Sequence, residues 1–134
     1  MPQTKVLFYR EVDGRVPVRD WLAELQRKNR KAFAKCVERI QRLAALGHEL
    51  RRPHADILRD GIYELRVRQG RVHYRILYSF HGRNRAVLVH ALTKEGRVPD
   101  GDIDLAVKRM KALEQNPEAH IYQEDQDGQT NQNK

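Results

Sequence analysis

Between residues 60 and 94 the chain alternates apolar and polar positions with a period of two. Tyr63, Leu65 and Val67 alternate with Glu64, Arg66 and Arg68, and Val72, Tyr74, Ile76 and Tyr78 alternate with Arg71, His73 and Arg75. Such alternation places each set on its own face of a sheet. It predicts strands over 62–68, 71–80 and 86–92. Gln69-Gly70 is expected as the two-residue turn of a hairpin. That turn would set Arg68 opposite Arg71, Arg66 opposite His73 and Glu64 opposite Arg75, with the apolar residues sharing the other face.

Elsewhere the period changes. Residues 5–10 are short, apolar and aromatic, and predict a first strand. Pro17 suits the first turn of a helix, and Val18, Trp21, Leu22 and Leu25 follow on one helical face. A second helix is expected over about 31–46, with Phe33, Cys36, Val37, Ile40, Leu43 and Ala44 as its stripe and Gly47 as its stop. The segment 48–59 is basic, contains Pro53 and reads as a loop. Residues 100–114 form a last helix, with Asp100, Asp102 and Asp104 at its positive end, as the helix dipole favours.

The expected order is β-α-α-β-β-β-α, an α+β fold with a mostly antiparallel sheet packed against a helical hairpin. One domain is expected over residues 1–114. Residues 115–134, polar and rich in Gln, Asn and Asp, read as a tail without packed structure.

Charge changes the picture. The formal net charge is +8; the four acids and one lysine after Glu114 carry −3, so the body carries +11. A basic body of this kind points to an anionic partner such as nucleic acid or a ribosome. No apolar run approaches the ~18 residues of a membrane span, and the N-terminus lacks the layout of a signal peptide. Cys36 is the only cysteine, which excludes an internal disulfide. A cytoplasmic protein is expected.

On the polar sheet face Arg66, His73 and Arg75 form a row of donors. A solvated polar face and a phosphate-binding face are both compatible with the periodicity, since arginine presents a planar fork to phosphate oxygens. Cys36 and Trp21 fall on apolar stripes and are expected in the core. No carboxylate or histidine cluster has metal-ligand spacing, and no Gly-rich phosphate loop is present.

The set YELRV, YRILY and AVLVHALTK, followed by PDGDIDLAVKRM in the last helix, resembles the RelE/HigB toxin superfamily in its phage-derived, HigB-like branch. The resemblance runs from about residue 5 to 113. It implies a toxin of a type II toxin–antitoxin system, a ribosome-dependent mRNA endonuclease using neither metal nor cofactor. It further implies a helix-turn-helix antitoxin as partner, beside the ribosome and its mRNA. ParE-like relatives inhibit DNA gyrase without catalysis, and a simple RNA-binding module would use the same face.

Matched by position, Arg66, Arg75 and Lys94 take the places of the family's phosphate-contacting cations. His73 is the proton-transfer candidate, since imidazole titrates near neutrality. Arg68, Arg71, Arg97 and His54 are expected to bind RNA around this centre. Glu64 and Glu95 stand where RelE-type members carry basic residues, and the last helix has no tyrosine. HigB-type chemistry, which leans on histidine, is the nearer comparison.

Overall fold

The computed structural model describes residues 3–122. Five strands form one sheet in the order β1-β5-β4-β3-β2, where β1 is Lys5–Phe8, β2 Ala55–Arg59, β3 Ile62–Gln69, β4 Val72–Phe80 and β5 Arg85–Thr93. Only the β1–β5 pair is parallel. Helices α1 (Pro17–Lys28) and α2 (Arg30–Leu46) form the expected hairpin. Asn29 joins them without a loop: its N–H donates to the Leu25 carbonyl at 2.7 Å, ending α1, and its side chain accepts from Ala32 N at 3.1 Å, starting α2. Gly47 ends α2 at φ +55°, and a Cβ there would lie 2.2 Å from Thr4 Oγ1, so both conformation and space demand glycine.

The period-two pattern explains the layers. Leu65, Val67, Tyr74, Ile76 and Tyr78 face the hairpin and are buried with Val18, Leu22, Cys36 and Leu43. Burial pushes the Cys36 thiol up to about 12, which leaves it an inert core group. On the opposite face Ile62, Leu77, Val87 and Val89 pack beneath α3 (Asp100–Gln115) through Ile103, Ala106, Met110 and Leu113. Helix α3 covers only that part of the face. The rest, toward the β3–β4 turn and the β2 edge, carries Asp56, Glu64, Arg66, Arg68, His73 and Arg75.

Three features differ from the sequence reading. Residues 55–59, taken for loop, form the edge strand β2, with Asp56 opposite Glu64 and a register shift after Ile57. The hairpin turn is Gly70-Arg71, not Gln69-Gly70, because Gly70 at φ +63° takes the first central position, where a two-residue turn of this kind calls for glycine. The register is therefore displaced by two residues: Arg66 faces Arg75, Arg68 faces His73 and Glu64 faces Leu77. A displacement of two keeps every side chain on its expected face.

The third difference is at the C-terminal end. Residues 115–134 read as an unpacked tail, yet Gln115 completes α3 and a short helix α4 (Pro117–His120) follows. Ile121 bridges Tyr9, Arg10 N–H donates to the His120 carbonyl at 2.8 Å, and the His120 ring stacks on Tyr9. The physical reason is the buried Ile121, an isolated apolar residue in polar sequence that completes the core under α3. The rest of the tail reading lies outside the described residues. Ile121→Ala is expected to cost about 2–4 kcal/mol, as for other buried aliphatic truncations, read as a shift in a urea unfolding midpoint. An unchanged midpoint would show that this segment contributes nothing to the fold.

Candidate nucleic-acid interface

The uncovered half of the sheet face is organised by two carboxylates. Glu64 is buried, its side chain 2% exposed, and Arg75 beside it is 10% exposed. Arg75 Nη1 donates to Glu64 Oε1 at 2.8 Å, and Arg75 Nη2 donates to the Gly96 carbonyl at 2.6 Å. Arg75 thus ties the β3–β4 ladder to the connector that follows β5. The second carboxylate oxygen of Glu64 accepts Arg66 Nε at 3.0 Å, and Arg66 Nη2 reaches Asp56 Oδ2 at 3.3 Å. Arg52 Nε donates to the same Asp56 oxygen at 2.9 Å. Desolvation raises the Asp56 carboxyl, but the Ile57 N–H, Arg52 and Arg66 outweigh it and hold the group below its usual range.

Each predicted site residue has a definite place in this frame. Arg66 is 39% exposed at its side chain and held from behind by Glu64, so its guanidinium is oriented while one edge stays open to water. Arg75 lies on the expected face but is buried, with one Nη donating to Glu64 and the other to the Gly96 carbonyl, which the sequence did not indicate. His73 is half-buried and sits opposite Arg68, diagonal to Arg66, where the sequence expected it opposite Arg66. Lys94 is exposed, and its N–H donates to the His73 carbonyl at 3.0 Å, which fixes its backbone beside His73. Arg68 and Arg71 are exposed at the hairpin end, with Arg68 Nε donating to the Gly70 carbonyl at 2.9 Å.

Two of the predicted residues stand apart. Arg97 is 81% exposed on the connector and pairs with Asp100 at 3.4 Å. His54 precedes β2, and its carbonyl accepts the Arg66 N–H at 2.8 Å. Its ring is drawn below its usual value by burial and then by Arg39 and Arg42. The structure therefore brings Arg66, Arg68, His73, Arg75 and Lys94 together and leaves Arg97 and His54 at the margin.

Sequence reasoning missed Asp56, because its strand was read as loop, and missed the role of Gly96. His90 Nε2 lies 2.7 Å from Asp102 Oδ1, and Arg109 Nη1 lies 3.5 Å from His90 Nδ1. With a cation's donor at one nitrogen and a carboxylate at the other, His90 pins α3 to β5. Ser79 Oγ lies 2.8 Å from His81 Nε2, with Ser79 1% exposed.

Among the described residues no three His, Cys, Asp or Glu side chains converge on one point, and no helix is long and apolar enough to cross a membrane. No curated protein sequence matches the chain. The model of the family "Phage derived protein Gp49-like (DUF891)" matches residues 20–111, from within α1 to near the end of α3, and so takes in the whole charged face. The chain belongs to the phage-derived Gp49-like family, which is related to the RelE-like toxins of toxin–antitoxin systems.

Proposed function

We propose that this protein is the toxin of a type II toxin–antitoxin system and cuts messenger RNA on the ribosome, in the manner of HigB-like members. The observation that carries the reading is the Arg66 guanidinium, oriented by buried Glu64 and half open to solvent, with Arg68, His73 and Lys94 around it. RNA cleavage through the 2′-OH needs a base for its proton, cations for the charge growing on the phosphate, and a proton, here from water, for the 5′-oxygen that leaves as the P–O5′ bond breaks. His73 serves as the base. Arg66 and Lys94 meet the phosphate, Arg68 and Arg71 bind the flanking backbone, and Arg97 and His54 extend that contact. Arg75 acts as a positioning residue, because it is buried and each Nη already donates, one to Glu64 and one to the Gly96 carbonyl. The partners are a helix-turn-helix antitoxin and the mRNA-loaded ribosome.

The test is induced expression in a bacterial host with primer extension on a reporter mRNA. Growth arrest with new 5′ ends is the expected result. Growth arrest without RNA cuts would replace this reading with a ParE-like action on gyrase. Binding to ribosomes is expected to weaken steeply with salt, because phosphate contacts release counterions. If six phosphates are met, affinity falls by about three orders of magnitude between ~50 and ~200 mM salt. A flat salt dependence in a sedimentation assay would count against a phosphate-reading face.

A further inference from the structure

A second feature adjoins this face around the β2 edge: a cavity of about 530 Å³ lined by His48, Leu50, Arg51, Ile57 and Tyr63, with Asp56 and Arg52 on its rim. Three observations describe what it suits. The first is an aromatic ladder. His48 stacks on Phe80 with ring centroids 3.6 Å apart and planes at 20°, and Phe80 meets Tyr63 edge-on at 5.2 Å. His48, the ring at the end of the ladder, is exposed. The second is Ile57, 57% exposed on an edge strand, an apolar surface the fold itself does not use. The third is the rim. Arg52 and Arg66 share one Asp56 oxygen, at 2.9 and 3.3 Å, so the cavity mouth and the candidate RNA face meet at a single carboxylate.

We infer that this cavity takes an unstacked nucleobase from single-stranded RNA whose backbone lies on the adjoining face. The inference rests on the RNA reading of that face. A flat, weakly polar group stacked against an exposed aromatic ring, with its phosphates held outside by arginines, is the chemistry of single-strand RNA recognition. Ile57 and Leu50 supply apolar walls, and Arg51 and Arg52 supply the cationic rim. The cavity stacks bases without reading their edges strictly. Both Asp56 oxygens are already occupied, Oδ1 by the Ile57 N–H at 2.9 Å and Oδ2 by the two arginines. Purines are therefore favoured over pyrimidines by their larger π-face, with little discrimination within each class.

The test uses the full chain and short single-stranded 2′-O-methyl RNA oligonucleotides, which lack the hydroxyl that cleavage requires. Affinity is measured by fluorescence anisotropy for an intact oligonucleotide and for a series carrying one abasic position each. One abasic position is expected to weaken binding by about 5- to 150-fold, the range of base–aromatic stacking. His48→Ala and Ile57→Asp should weaken the intact oligonucleotide and remove that position's effect. Ile57 is exposed, so its substitution tests the cavity even if His48→Ala disturbs Phe80. Equal binding of the intact and every abasic oligonucleotide would overturn the base pocket while leaving the phosphate face standing. An abasic effect that survives in folded His48→Ala and Ile57→Asp proteins would place the stacking site elsewhere. No binding of any oligonucleotide at low salt would remove both readings.

Discussion

Arg75→Ala is expected to lower stability by about 3–5 kcal/mol, as when one partner of a buried ion pair is removed. The value should fall near the lower figure, because Arg66 Nε still donates to the remaining Glu64 oxygen. Glu64 stays buried in the variant, with one oxygen unmatched, and the Gly96 carbonyl loses its donor. In a domain of this size that is about 10–20 °C in Tm. Replacing both partners, Glu64→Leu with Arg75→Met, should be milder than Arg75→Ala alone, since no orphaned charge is left in the interior. Calorimetry on the two variants decides it. If Arg75→Ala melts with the wild type, the pair does not stabilise the interior, and Arg75 becomes a group that meets RNA.

Arg66→Ala is expected to do the opposite, leaving the fold nearly intact and removing activity. Its guanidinium is partly exposed, and Glu64 and Asp56 each keep another arginine, so the stability cost should stay at about 1–3 kcal/mol, that of the one Glu64 oxygen left unmatched. Loss of one preorganised group that stabilises transition-state charge costs on the order of 10²–10³ in rate. Arg66→Lys should recover only part of this, since a lysine keeps the charge but lacks the fork that Glu64 orients. Primer extension with purified ribosomes, beside circular dichroism, separates the two effects. A folded Arg66→Ala protein that still cuts mRNA at the wild-type rate would show that the reaction centre lies elsewhere.

The contrast between these arginines marks the limit of what the sequence makes legible. Alternation in 62–80 assigns both to the polar face, and that assignment holds even though the turn is Gly70-Arg71 and the register moves by two. Alternation cannot say what covers that face. Arg75 is buried because Gly96, 21 positions later, returns to meet it, and because Glu64 sits diagonal to it. Such contacts depend on where the connector runs, which no local pattern encodes. The strand over 55–59 was hidden for another reason. With Pro53 just before it and only Ala55 and Ile57 facing the core side, it carries too few alternating positions to stand out from a basic loop. His120 was hidden by composition, while Ile121 and Tyr122 stand out as apolar residues able to dock on the body, although nothing local says whether they do. The start of α1 and the end of α2, by contrast, are legible, since Pro17 and Gly47 mark them through local chemistry.

The parallel pairing of β1 with β5 joins Lys5 to Arg85, 80 positions apart, while the other strands pair with neighbours in sequence. During synthesis, the first strand to leave the ribosome is therefore the one that waits longest for its partner. The β2–β3–β4 meander that carries Asp56, Glu64, Arg66 and Arg75 can assemble from nearby segments. Its hydrophobic underside packs on α1 and α2, which are made before it, but the β4 edge stays unpaired until β5 emerges and captures β1, because a contact of such long sequence separation must close the intervening loop first. A nascent chain halted before Arg85 thus displays the charged face on an open, unstable sheet. The frame that holds Arg75 is complete only once synthesis has passed Gly96, whose carbonyl accepts from Arg75.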